Sequence, residues 1–260
     1  MRKDRLTDYL FIDEAMLRRY TDQISNRFIE EENHSWSMSA SLTGPKLESS
    51  RNKQRRELNT YERIALLQTH LEDTDDLSTE RPRSLKELRG TSFPPPRFIR
   101  ETTDAIKVIV PTSHLTSVEG LSSFAVWISD PDKDLYSNVE WNWIGTFLYL
   151  TEVHWDNLEF DTVFSGCSAL RMIVNAAIGS DLLDRSSSKV FNEFEPFGRG
   201  SYEHPIQKLE RIGATISDRR KITTLYRKRY MTDEQCYTVN DNQRRVNDLL
   251  AYPIFIAATN

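Results

Sequence analysis

Cysteine is nearly absent, with only Cys167 and Cys236 in 260 residues. That excludes a disulfide scaffold and any Cys-rich zinc module, and it fits a reducing cytoplasm. Long apolar runs are missing as well. No stretch approaches the ~20 residues of a spanning helix, so no membrane insertion is expected. The opening MRKDRLTDYLFIDEAM is interrupted by Asp4, Asp8, Asp13 and Glu14, which leaves no apolar segment for a signal peptide. His34, His70, His114, His154 and His204 never fall at zinc-ligand spacing. There is no Walker loop, no GxGxxG after a strand, no HExxH and no GxSxG. These absences remove the signatures of the familiar enzyme classes, and no cofactor is expected. Net charge is only −5, so the molecule as a whole is not an electrostatic nucleic-acid binder; that role needs a local basic patch.

What is present suits a soluble globular chain. Hydrophobic residues make up 38% and charged residues 28%, and the length is enough to bury a sizeable core. Tyr9–Ile12 reads as a short strand. Asp13 then caps a helix whose Leu17, Tyr20, Ile24 and Phe28 recur at helical spacing. Residues 33–56 are polar, Ser-rich and broken by Gly44-Pro45, the composition of a mobile loop. Asn59 with Glu62 forms a capping-box pattern for a second helix bearing Tyr61, Ile64, Leu67 and Leu71. The SFPPPR stretch at 92–97 is a stiff connector, which divides the chain into an N-terminal strand-helix region, 1–91, and a core domain, 98–260.

Beyond the connector, Ile106, Val108 and Val110 alternate, and FAVWIS at 124–129 reads as another strand. DPDKD is a turn; as a calcium loop it fails, with Leu135 where Gly is needed and Trp141 where a carboxylate is needed. From Val139 to Trp155 the odd positions are apolar except Gly145 and Thr151, which predicts a long half-buried strand bent at Gly145. An Asp156-Asn157 turn returns the chain as a hairpin through Leu158, Phe160, Thr162 and Phe164. Ser165 or Ser168 caps a helix ALRMIVNAAIG. Pro205 opens another that Gly213 closes. A basic strand at 221–231, a helix around Arg244–Ala251 and a strand Ile254–Ala258 complete the chain. The expected fold is α+β: a largely antiparallel sheet with helices on one face, preceded by a helical N-terminal region.

Three places carry candidate chemistry. On the polar face of the hairpin His154 faces Glu159 and Glu152 faces Asp161. Opposed carboxylates suit a metal-dependent hydrolase or nuclease, or they are simply the wet side of a half-buried sheet. Cys167 at a helix start is either a small buried thiol or a thiolate favoured by the helix dipole. The third place is 208–229. Lys208, Arg211, Arg219, Arg220, Lys221, Arg227, Lys228 and Arg229 oppose Glu210 and Asp218, a local +6 (eight cations less two anions). Tyr226 and Tyr230 interleave with them. The mix suits phosphate contact and base stacking, and it also suits a charged strand edge that resists unwanted pairing, the commoner use of such a strip. The expected ligand residues are Arg219, Arg220, Tyr226, Arg227, Lys228, Arg229 and Tyr230, with no metal.

The stretch YLFIDEAMLRRYTDQI, 9–24, resembles the opening of a group of uncharacterised small bacterial proteins: a strand, Asp-Glu, then a helix with an aromatic and Gln-Ile at matching places. Such proteins often accompany anti-phage defence genes. The resemblance implies a place in bacterial defence; it spans sixteen residues and carries no catalytic residue. The leading expectation is a non-enzymatic cytoplasmic accessory or sensor component. It would bind a nucleotide, a nucleic acid or a protein partner through the basic strip, alone or as a homo-oligomer. A purely structural subunit explains the missing motifs equally well.

Overall fold

A computed structural model describes residues 7–24, 57–82, 96–112, 122–133, 143–153, 162–163, 169–178, 204–239 and 242–259. The chain forms two compact units, Asp13–Asp75, and Met1–Ile12 together with Asp76–Asn260.

The smaller unit is built from two helices whose ends follow the capping signals. In α1, residues 14–24, the Asp13 carboxylate accepts from the Met16 N–H at 2.8 Å. In α2, Thr60–Asp73, the Asn59 side chain accepts from Glu62 N–H while the Glu62 carboxylate accepts from Asn59 N–H, both at 2.9 Å. Leu17, Ile24, Ile64, Leu67 and Leu71 are its buried apolar positions. Arg63 ties the helices together, donating to Thr21 Oγ1 and to Asp22 at 2.7 and 2.8 Å.

The larger unit holds the strands β1 (Asp8–Ile12), β2 (Leu77–Ser78), β3 (Phe98–Pro111), β4 (Ser123–Ser129), β5 (Asp132–Lys133), β6 (Trp143–Thr151), β7 (Thr162–Val163), β8 (Thr215–Val239) and β9 (Asn242–Ala258), with helices α3 (Ala169–Ile178) and α4 (Pro205–Arg211). β3, β4, β6, β9 and β8 follow one another round a ring, and β8 pairs back onto β3. Taking these five in chain order, the ring runs 1-2-3-5-4-1. The third and fifth strands, β6 and β9, are parallel, and α3 lies in sequence between the third and fourth. This is the strand order of an OB-type Greek-key barrel. β1 extends the sheet along the C-terminal half of β9, and β7 lies along β8.

The α+β expectation is therefore overturned. The unit is mostly strand, its sheet closes on itself, and its helices are few and short. No helical region precedes the sheet either: the first described strand, β1, belongs to it, and the helical unit follows. Closure buries one sheet face without any helix. Ile99, Ala105, Trp127, Leu148, Leu150, Ile222, Tyr226, Met231, Leu249, Ala251 and Ile256, drawn from all five strands, fill the interior. α3 and α4 pack on the opposite face of β3, β4 and β6, against Val108, Val126, Ile128, Phe147 and Tyr149.

Two local expectations fail for the same reason. Arg244–Ala251 is part of β9 rather than a helix. Its Leu249 faces the interior and its Leu250 faces the helices, so both faces are apolar and period-two alternation vanishes. Among the described residues the hairpin of 139–155 with 158–164 has no place: β6 has both edges taken, by β4 at 148–151 and by β9 at 145–150, and β7 pairs with β8 instead, while the turn at 156–157 lies outside the described residues. The bend at Gly145 is present, with φ of 106°. Residues 33–56 and 92–95 lie outside the described residues.

Burial of both faces of β9 makes a direct prediction. Leu249→Ala and Leu250→Ala should each cost about 2–5 kcal/mol in chemical denaturation. A strand with one wet face would lose that much at only one of the two.

Candidate functional site

One end of the barrel interior is polar, and a single guanidinium organises it. Arg81 reaches in beside Glu101 and Thr103 of β3, Ser129 of β4 and Thr146 of β6. Its Nε donates to Glu101 at 3.0 Å, and Nη2 donates to the hydroxyls of Thr103 and Ser129 at 2.8 and 2.7 Å. Nη1 donates to the carbonyls of Thr146, Ser129 and Asp130 at 3.1–3.4 Å. Every N–H of the fork is thereby used. Glu101 also accepts from the Tyr226 hydroxyl at 2.7 Å. Tyr226 is fully buried, and burial followed by the Glu101 charge pushes its phenol well above the usual tyrosine range. Beside this network lies a cavity of about 280 Å³, lined among others by Thr79, Glu80, Thr102, Asp130 and Gly145.

Asp130, just after β4, joins this mouth to the next feature. Its Oδ1 lies 2.7 Å from His204 Nε2 and its Oδ2 accepts from Arg219 at 2.7 Å. His204 is also the N-cap of α4: its Nδ1 accepts from the Ile206 N–H, and its own N–H donates to Gln207. Burial raises the Asp130 carboxyl, but the bonds and charges of His204 and Arg219 outweigh it and hold the group below the usual carboxylate range.

The expected ligand residues separate on this surface. Arg220 and Lys221 are exposed, and Arg219 is about half exposed despite its Asp130 partner. On the face of Arg219 and Lys221 the hydroxyls of Thr102, Thr223 and Thr259 form a line across β3, β8 and the chain beyond β9, at 2.8 and 2.9 Å, while Arg220 alternates to the other face. Tyr226 is not a surface aromatic and has no face to offer a base. Arg227, Lys228 and Arg229 are partly buried, and Arg229 lies 5.1 Å from the Tyr252 ring centre. Tyr230 pairs through its backbone with Thr162 and Leu250.

Of the carboxylate candidates only Glu152 is among the described residues. Glu152 accepts from Lys107 Nζ and from Trp127 Nε1, each at 2.8 Å, with Lys107 also above the Trp127 ring. An ion pair and an indole bond already occupy it. His154, Glu159, Asp161 and Cys167 lie outside the described residues. Among the described residues no three His, Cys, Asp or Glu side chains converge on a metal position, and no helix is long and apolar enough to cross a membrane.

Sequence reasoning passed over Arg81, Asp130 and His204. His204 carried a readable signal, since a His before Pro205 with Gln207 three positions on is a capping box in outline. Arg81 carried none, because its partners come from three distant strands. No family model, curated protein or solved structure matches the chain.

The Arg81 and Glu101 side chains are only 13% and 11% exposed. Arg81→Ala would strand the Glu101 charge and should cost about 3–5 kcal/mol, whereas Tyr226→Phe should cost about 1–3 kcal/mol. Equal, small losses in urea denaturation would show that the mouth is wet rather than sealed.

Proposed function

We propose that the chain is a non-enzymatic cytoplasmic binding module that holds a phosphate-bearing ligand, a nucleotide or nucleic acid, on the outer face of the β3–β8 ribbon. The observation that carries this reading is the exposed pair Arg219 and Lys221, which alternation along β8 sets on the same face as Thr223 and the Thr102–Thr223–Thr259 hydroxyl line. Three hydroxyls joined by two hydrogen bonds keep one proton to donate outward, and a phosphate oxygen accepts it well. OB-type barrels commonly bind on the face of their second and third strands. Here α3 and α4 cover that face of β4 and β6, which directs the ligand to β3 and β8.

Two features set the character of the binding. With Tyr226 buried, the ligand is held by its phosphates and not by stacking of its bases. Asp104 stands opposite Lys221 in the register, and Asp218 precedes Arg219, so the patch carries less charge than its cation count suggests. Affinity is therefore modest and strongly salt-dependent. A role in bacterial defence rests on the resemblance at 9–24 alone.

Fluorescence anisotropy with short single- and double-stranded oligonucleotides and common nucleotides tests this. Two phosphate contacts on a single strand, from Arg219 and Lys221, give a slope of log affinity against log salt of about −1.4. Lys221→Glu should weaken binding and take the slope to about −0.7 or flatter, leaving the melting temperature nearly unchanged, whereas Arg220→Glu, on the other face of β8, should change binding less. Absence of salt-dependent binding, or a reversal that moves only the melting temperature, would return the strip to a charged strand surface.

A further inference from the structure

Both ring nitrogens of His204 are in use. The Ile206 N–H donates to Nδ1 at 3.1 Å, so Nδ1 is bare and the proton of the neutral ring sits on Nε2, 2.7 Å from Asp130. A second proton can go only to Nδ1, where the Ile206 N–H already points. Protonation therefore opens the cap of α4. It also changes the charge of the cluster. Asp130 and Arg219 cancel while the ring is neutral; with the ring protonated the three groups sum to +1, on the face of β8 that carries Lys221.

Among the described residues, the charged groups facing the ring are Asp130 after β4 and, through it, Arg219 of β8 and Arg81, which donates to the Asp130 carbonyl. β6 contributes the apolar ring of Phe147, edge-on at 5.5 Å between centroids. Glu210 and Arg211 on α4 itself are exposed. Asp130, held low as described, stays an anion while imidazoles titrate.

We propose that His204 is a proton-operated latch: its protonation withdraws the cap from α4 and adds one positive charge beside the β8 strip, so anion binding tightens as the pH falls. The tightening rests on the proposed function; the latch does not.

Long-range proton–nitrogen NMR of the full chain reads the latch without any ligand. At alkaline pH Nε2 should carry the proton and Nδ1 none. As the ring takes its second proton, Ile206 amide exchange should speed up by about tenfold or more beyond its ordinary pH dependence, as a lost protecting bond requires, with β3 amides unaffected. His204→Gln supplies a neutral acceptor and donor in the same places, and its Ile206 amide should show no such loss. A proton on Nδ1 at alkaline pH, or unchanged Ile206 protection on ring protonation, overturns the latch. In parallel, a labelled single-stranded oligonucleotide is titrated at mildly alkaline and mildly acidic pH at fixed salt. Wild type should tighten by about threefold, the scale of one exposed charge pair, and His204→Gln should not. Equal tightening of both proteins overturns the charge coupling. If neither binds at either pH, the proposed function and the tightening fall together, and the NMR arm alone decides the latch.

Discussion

The barrel closes because β9 hydrogen-bonds along both edges, antiparallel to β8 from Asn242 to Ala258 and parallel to β6 from Val246 to Ala251. Backbone groups withdrawn from water must find partners, and a strand bonded on both sides satisfies them without a helix or loop. Once β9 is fixed, its alternate side chains divide. Leu249, Ala251 and Ile256 go to the interior, and Leu250 goes to the layer under the helices. The polar mouth then follows from geometry. At the end where Glu101, Thr103, Ser129 and Thr146 face inward, the apolar filling stops. A guanidinium with five donors in a fixed fork meets that ring of acceptors from three strands at once.

Local signals in the sequence were faithful where structure is local. The Asn59–Glu62 box, the Asp13 cap, Pro205 at a helix start, the Gly145 bend and the strand at 124–129 all depend on a few neighbouring residues and stand where they were expected. Failures came where the partner is remote. Residues 244–251 carry Val246, Leu249 and Leu250 at helical spacing, and only the presence of β6, β8 and the overlying helices makes both faces of a strand apolar. The hairpin drawn from 139–164 set apolar residues opposite one another along one face and His154 opposite Glu159, with only Glu152 and Asp161 opposed as like charges. It failed because β4 and β9 compete for the same two edges, which no window of twenty residues reveals.

The candidate site shows the same division. Counting charges found the cations of 208–229, and their exposure at Arg220 and Lys221 agrees with the count. Counting could not show that β3 places Asp104 across from Lys221, that Asp130 holds Arg219, or that Tyr226 points inward to Glu101. Alternation along β8 puts Ile222, Thr224 and Tyr226 on the interior side, so a tyrosine between cations was more a statement about the core than about a ligand. The residues that give the site its electrostatic character, Asp130 and His204, were each read alone, one in a failed calcium loop and the other as an unplaced histidine.

β1 has a bearing on how the molecule comes into being. Asp8 pairs with Ala258 and Ile12 with Phe255, so a segment made before all the other strands of the unit takes its place beside the one made after them. During synthesis β1 has no partner while the helices of Asp13–Asp75, held by caps and by contacts close in sequence, can already form. β3, β4, β6 and β8 can pair with one another earlier, but the ring stays open, with free edges on β6 and β8, until β9 arrives. Pairings of such long sequence separation are slow and leave edges open to wrong partners. The vulnerable interval of this chain is therefore its own biosynthesis, between the appearance of β3 and the arrival of β9.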